Sequence, residues 1–153
     1  MRGFGFRRTT FTFAALIIGM PALALAQLPA KDYTPGKTAK VTKDEVCSVD
    51  YVNSVKPVKD RDAADALSSY GLQPSSGREL FQLIPSSLGG TNDKENLWPL
   101  PNSREFGPAQ KKALDDQLHK MVCDGSLELK TAQDALKRNW MDAYRKYVAH
   151  SVE

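Results

Sequence analysis

Residues 78–99 read RELFQLIPSSLGGTNDKENLWP, and their pattern predicts two strands joined by a wide loop. The run 78–84 has the apolar composition of a strand, and Pro85, which cannot donate a ladder hydrogen bond, ends it. Residues 86–93 combine two glycines with several side-chain oxygens, as turning loops do. Residues 96–99 then read as the returning strand. We therefore predict a broad, loop-rich hairpin.

Apolar residues at three- and four-residue steps predict three helices beside this hairpin. The first covers residues 60–70, with Asp60 or Asp62 as its cap. The second begins at Pro108, whose fixed φ suits a first helical position. The third begins near Leu129 and has a long apolar stripe. The expected fold class is α+β, one hairpin with packed helices.

The N-terminus has the three-part build of a secretory signal peptide. Three arginines precede the apolar run 13–20, and a small-residue end, Ala-Leu-Ala at 24–26, follows it. The apolar run is shorter than the roughly 18 residues that a bilayer span needs. We predict a cleaved signal at residues 1–26, no membrane span in the mature chain, and a periplasmic or secreted location.

Removal of that signal changes the charge balance of the protein. The full chain has 21 basic and 18 acidic side chains, and the three arginines of the signal are unopposed by any acid. The mature chain is therefore balanced at 18 of each sign. Proteins that bind nucleic acid through many phosphates usually show a basic excess, so this balance argues modestly against that class.

The mature chain is predicted to contain one domain. Residues 27–45 are polar, with prolines and a glycine and no apolar period, which is typical of a flexible leader. The domain then covers residues 46–150. Eight basic residues could form a phosphate-facing patch, but acidic residues alternate with them, so a solvated helix face is the expectation. They are Arg104, Lys111, Lys112, Lys120, Lys137, Arg138, Arg145 and Lys146.

The chain has two cysteines, Cys47 and Cys123, far from any Cys-x-x-Cys spacing. In an oxidising compartment they most simply form a disulfide with each other. By the chain-entropy argument, closing so long a loop stabilises the fold by up to about 4 kcal/mol. The alternative is that both are metal ligands.

Four segments carry a resemblance to a known family: LIP at 83–85, LGGTND at 88–93, NLWP at 96–99 and LHKMVC at 118–123. Together they resemble a family of small exported HNH nucleases, in which the sequence runs close to DHLIPLELGGSNDxxNLWP and then LHxxVC. The likeness covers most of residues 46–148. It implies a ββα-metal fold, a hairpin followed by a helix, with additional packed helices and one disulfide.

In that family an aspartate and a helix histidine hold a divalent metal, and the histidine after the aspartate is the general base. An asparagine braces the loop. This chain has Phe81 in place of the aspartate and Gln82 in place of the base histidine. Ser87 replaces a common glutamate. The resemblance therefore leaves only Asn96 and His119 of the catalytic set.

Three functions remain open from the sequence. The preferred one is an exported, catalytically inactive protein of HNH nuclease fold, with a binding or unknown extracytoplasmic role. The second is an active, metal-dependent DNA or RNA endonuclease whose rearranged centre uses His119 and perhaps Glu79 to hold Mg²⁺, Mn²⁺ or Zn²⁺. The third is a protein–protein binding module. No cofactor is expected unless the protein is active, and the candidate partners are nucleic acid or another exported protein.

Overall fold

The computed structural model describes residues 28–73, 75 and 79–149, so the predicted signal peptide lies outside the described residues. The described part contains five helices and two short strands. The helices are α1 (Lys43–Val46), α2 (Val49–Ser54), α3 (Asp60–Ser69), α4 (Pro108–Cys123) and α5 (Leu129–Tyr147), and the strands are β1 (Leu80–Gln82) and β2 (Leu97–Pro99). None of these helices has both the length and the apolar character needed to cross a bilayer.

The two strands form an antiparallel hairpin, as predicted, but the first strand ends at Gln82 and not at Ile84 before Pro85. Leu80 pairs with Pro99, Phe81 with Trp98 and Gln82 with Leu97. The long connection between the strands includes two single turns of 3₁₀-helix, Ser86–Leu88 and Lys94–Asn96. The mixed class of helices with a small antiparallel sheet is confirmed.

The core lies between the hairpin, α4 and α5. Leu114, Leu118 and Val122 are fully buried on one face of α4, as their spacing predicts. Trp98 and Trp140 are also buried, 1% and 0% exposed, so both tryptophans belong to the core. Each large apolar side chain buried in this way stabilises the fold by about 1.5–3 kcal/mol.

Helix α5 is interrupted at Asn139. This residue has an extended backbone, with φ −168° and ψ 104°. Its side-chain oxygen accepts hydrogen bonds from the backbone N–H groups of Met141 and Asp142, at 3.0 and 3.3 Å. Asn139 therefore caps the second half of α5 in the way that asparagine caps a helix start.

The first part of the chain differs from the predicted arrangement in its small helices. Helices α1 and α2 were not predicted, because four and six residues are too few to show a helical period. Helix α3 has Lys59 at its N-cap, so the predicted capping by Asp60 or Asp62 is wrong. Both aspartates lie in the first turn, where a carboxylate interacts favourably with the helix dipole.

The segment expected to be a flexible leader is instead held against the hairpin loop. The Thr34 side chain is 1% exposed and donates to the Leu97 carbonyl at 2.8 Å. Thr38 forms an isolated antiparallel bridge with Gly90. The polar composition of this segment did not indicate these contacts. They are hydrogen bonds, which leave no apolar period in the sequence.

The predicted disulfide is present. Cys47, directly after α1, is bonded to Cys123, the last residue of α4. The two cysteines are 76 residues apart in sequence, which gives a stabilisation of up to about 4 kcal/mol by the chain-entropy argument. The metal-ligand alternative does not apply to the cysteines in this bonded state.

Candidate functional site

A shallow cleft of about 360 Å³ opens beside β1. Its lining combines a mostly apolar segment, which includes one lysine, with polar side chains from the hairpin loop and one carboxylate. The residues that define it are Val55, Lys56, Pro57 and Val58, then Leu80, Phe81 and Gln82 of β1, Ser86 and Asn92 of the loop, and Asp115 of α4. We call this the β1 cleft. Both positions at which the resemblance shows a replaced catalytic residue therefore face the same opening.

Gln82 uses both ends of its amide to hold the loop. Its Oε1 accepts from the Ser86 backbone N–H at 2.9 Å and from the Ser86 hydroxyl at 3.0 Å. Its Nε2 donates to Asn92 Oδ1 at 2.6 Å. An amide has no useful basicity, and this one is already committed to hydrogen bonds within the loop. Gln82 thus stabilises the cleft rather than supplying a base.

Phe81 occupies the neighbouring position on β1. Its ring lies 6.5 Å from that of Trp98, its partner across the hairpin, in a tilted arrangement. A phenyl ring has no lone pair for a cation, so this position cannot provide a ligand for a hard divalent metal. It gives the cleft an aromatic surface instead.

Asn96 lies beneath the loop and is fully buried. Its Oδ1 accepts from the Ile84 backbone N–H at 2.9 Å. Its Nδ2 donates to the carbonyl oxygens of Ile84 and Thr91, each at 2.8 Å. These three bonds join the two sides of the loop, and such bonds are expensive to lose because the buried backbone groups would have no replacement partners.

Lys111 corrects the expectation of a solvated helix face. Its side chain is 0% exposed, and its ammonium lies 2.6 and 2.7 Å from the two carboxylate oxygens of Asp115. The ammonium also lies 5.9 Å from the centre of the Trp98 ring. The spacing of Lys111 from Leu114 and Leu118, three and seven residues, was the signal that it shares their buried face.

Asp115 is the member of this ion pair that reaches the cleft, because 18% of its side chain remains exposed. Burial raises the pKa of Asp115 from its ordinary value of 3.8 to about 6, against the opposing effect of Lys111. Burial lowers the pKa of Lys111 for the same reason, since a low-dielectric environment disfavours either charged form. No motif in the sequence indicates Asp115 as a site residue.

This shift predicts a measurable pH dependence. We expect the Asp115 carboxyl to titrate with a midpoint of about 6 in carboxyl-detected NMR, with Asp115→Asn used to assign the signal. The folded state binds this proton more tightly than the unfolded chain does. The stabilisation from this group is therefore present below pH 3.8 and is lost as the pH rises through about 6. A midpoint below 4 would contradict the burial that we describe.

His119 and Glu79 are not among the residues that line the β1 cleft. Glu79 is exposed at the start of the hairpin. His119 lies one turn beyond Asp115, with its Nε2 at 3.1 Å from the Val46 carbonyl oxygen. One ring nitrogen of His119 and the sulfurs of Cys47 and Cys123 all lie within 4.8 Å of one another. The structure thus places His119 against the disulfide.

No family model matches this chain, and no curated protein or solved structure is significantly similar to it.

Proposed function

We propose that this protein is an exported, non-catalytic relative of the small HNH nucleases and that it uses the β1 cleft to bind a partner. Support for the framework comes from an antiparallel hairpin followed by helix α4, with Asn96 bracing the loop between the strands. A ββα-metal fold has this order of elements. The sequence resemblance over residues 46–148 supports the same assignment.

The observation that carries the proposal is that Phe81 and Gln82 are both occupied by contacts within the protein. Phosphodiester cleavage in this fold needs a metal-binding carboxylate and a base at these two positions. Phe81 packs on Trp98, and both ends of the Gln82 amide are hydrogen-bonded within the loop. The nearby carboxylate, Asp115, has both oxygens bonded to Lys111. These replacements stabilise a binding surface and disfavour hydrolysis.

The lining of the cleft favours a protein partner over nucleic acid. An aromatic ring and the apolar side chains of Val55, Pro57 and Val58 lie beside amide, hydroxyl and carboxylate groups and the single lysine Lys56, a mixture typical of protein-binding surfaces. The balanced charge of the mature chain gives little attraction for a polyphosphate. The disulfide fits an oxidising compartment, which agrees with export and with another exported protein as the partner.

One observation favours a second candidate, an active endonuclease with a rearranged centre. A carboxyl group with a pKa of about 6 can exchange a proton near neutral pH, and Asp115 presents such a group to the β1 cleft. In this version Asp115, in place of Glu79, is the acid at the centre, and the reaction depends on an added divalent cation.

A nuclease assay separates the two candidates. Protein recovered from the exported fraction, with its disulfide intact, is incubated with plasmid DNA and with RNA in Mg²⁺, Mn²⁺ or chelator. A Phe81→Asp, Gln82→His double variant is tested in parallel, with circular dichroism to show that it is folded. We expect the natural chain to leave both substrates intact and the double variant to cut in metal only. General-base catalysis typically contributes 10²–10⁴-fold, which is well within the range of such an assay.

Metal-dependent cutting by the natural chain, stopped by chelator, would overturn the non-catalytic proposal. Asp115→Asn then tests the second candidate, because this change keeps the size of the side chain and removes its titrating group. Loss of cleavage in an Asp115→Asn variant that circular dichroism shows to be folded would support a rearranged centre at the β1 cleft, and full activity would exclude Asp115 from it.

A further inference from the structure

The group formed by Cys47, Cys123 and His119 carries an inference that is independent of the proposed function. His119 and Cys123 are four residues apart on α4, so they lie on one face of that helix. The disulfide brings Cys47 to the same face, and one donor atom from each residue lies within 4.8 Å of the others. We propose that, when this disulfide is reduced, the two sulfurs and the His119 ring bind a Zn²⁺ ion.

The donor set suits zinc. Two thiolates and one imidazole provide three of the four ligands of a tetrahedral zinc ion, with a water in the fourth position. All three residues are partly exposed, so a small reductant and an aqueous ion can reach them. Hard cations such as Mg²⁺ prefer oxygen ligands, so the two sulfurs favour zinc, and the site shares only His119 with the metal centre that the sequence resemblance implies.

The His119 ring is held by a hydrogen bond to the backbone. A carbonyl oxygen can only accept a hydrogen bond, so the 3.1 Å contact with Val46 places the proton of the neutral ring on Nε2. Nδ1 then keeps its lone pair. Histidines that bind zinc usually donate their second ring N–H to a carbonyl or carboxylate in this way, which fixes both tautomer and orientation.

Contacts other than the disulfide also hold Cys47 in place. Val46, the preceding residue, is fully buried in the core. Helix α1 starts with a capping box in which the Glu45 carboxylate accepts from the Thr42 backbone N–H at 2.6 Å and the Thr42 hydroxyl accepts from the Glu45 N–H at 3.3 Å. We therefore expect the two sulfurs to stay near each other and near His119 after reduction.

The chemistry is a two-electron reduction followed by metal binding. A dithiol donor supplies two electrons and two protons, so the Cys47–Cys123 bond breaks, two thiols form and the donor becomes a disulfide. Zn²⁺ then displaces one proton from each thiol, because only the thiolate is a ligand. The metal replaces the covalent link between α1 and α4 with a coordinate one.

Cobalt(II) provides the test, because its thiolate complexes absorb in the near ultraviolet and its tetrahedral complexes have strong visible bands. The oxidised protein should show neither. After reduction with a phosphine and removal of the reductant, we expect one equivalent of Co²⁺ to produce both signals and one equivalent of Zn²⁺ to abolish them. His119→Ala should weaken binding by at least about tenfold, whereas Lys120→Ala, an exposed neighbour, should not.

Two results would overturn the proposal: no thiolate absorption in the reduced natural chain, or equal affinity in the natural chain and His119→Ala. If reduction unfolds the protein, far-ultraviolet circular dichroism gives a second measurement. One equivalent of Zn²⁺ is then expected to restore the helical signal of the natural chain and not that of His119→Ala. Zinc binding without recovery of structure would also overturn the proposal.

Discussion

Replacement of Asp115 by alanine is expected to reduce the free energy of unfolding by about 3–5 kcal/mol at pH 7, the usual cost of breaking a buried ion pair. Lys111 is 0% exposed, and both of its short ionic contacts are to Asp115. Without that carboxylate the ammonium is left buried and uncompensated, or it must lose its proton. Urea denaturation followed by circular dichroism measures the loss.

The neighbouring pair on α4 is a matched control. Lys112 and Asp116 have the same i,i+4 spacing and a 2.8 Å contact, but their side chains are 75% and 66% exposed. Asp116→Ala should therefore change stability by less than about 1 kcal/mol. Equal losses in the two variants would show that the Lys111 pair is not buried in solution.

A double replacement separates the net contribution of the ion pair to stability from the cost of removing only one of its charges. Lys111→Met with Asp115→Leu removes both charges and keeps similar volumes in the core. Buried ion pairs exchanged for apolar residues of matching size often leave stability unchanged or improved. We expect this double variant to recover most of what Asp115→Ala loses, while leaving the β1 cleft without its carboxylate.

Gly90→Ala is expected to cost at least about 4–5 kcal/mol, a size of effect that few single substitutions reach. A Cβ at this position would overlap the Ile84 carbonyl oxygen and would lie 2.8 Å from Asn96 Nδ2. The loop would have to open to admit it. Opening separates Asn96 from Ile84 and leaves buried polar groups without partners.

Gly71→Ala is the control for this variant. Gly71 has φ +68°, so alanine there is strained, but a Cβ would meet no atom within 4 Å. Its expected cost is about 1–2 kcal/mol from the left-handed backbone alone. Thermal and urea denaturation of the two variants compare them directly. If Gly90→Ala is as stable as Gly71→Ala, the Asn96 network is looser than we describe.

Most of the regular structure could be predicted from the sequence because it has strong local signals. Helix α4 begins at Pro108 and has a regular apolar stripe, and the second strand of the hairpin ends at Pro99. The interruption of α5 at Asn139 was not predicted. The apolar stripe continues on both sides of that residue, so the pattern shows no break.

The candidate site could be predicted only in part. The motif resemblance indicates Phe81 and Gln82, and the structure brings both to one cleft. It could not indicate Asp115, because the burial that raises its pKa depends on how α4 packs against the hairpin. The alternating charges around Lys111 predicted a solvated surface residue. A buried lysine differs from an exposed one only through its tertiary surroundings.

The bonds that hold the N-terminal segment have a consequence for the order in which the chain can fold. Three links join an early residue to one that is synthesised much later: Thr34 to Leu97, Thr38 to Gly90 and Cys47 to Cys123. Because the chain is synthesised from its N-terminus, none of these links can form until most of the chain has been made. Such long-range closure also slows folding. The chain therefore cannot complete its native fold until late in its synthesis.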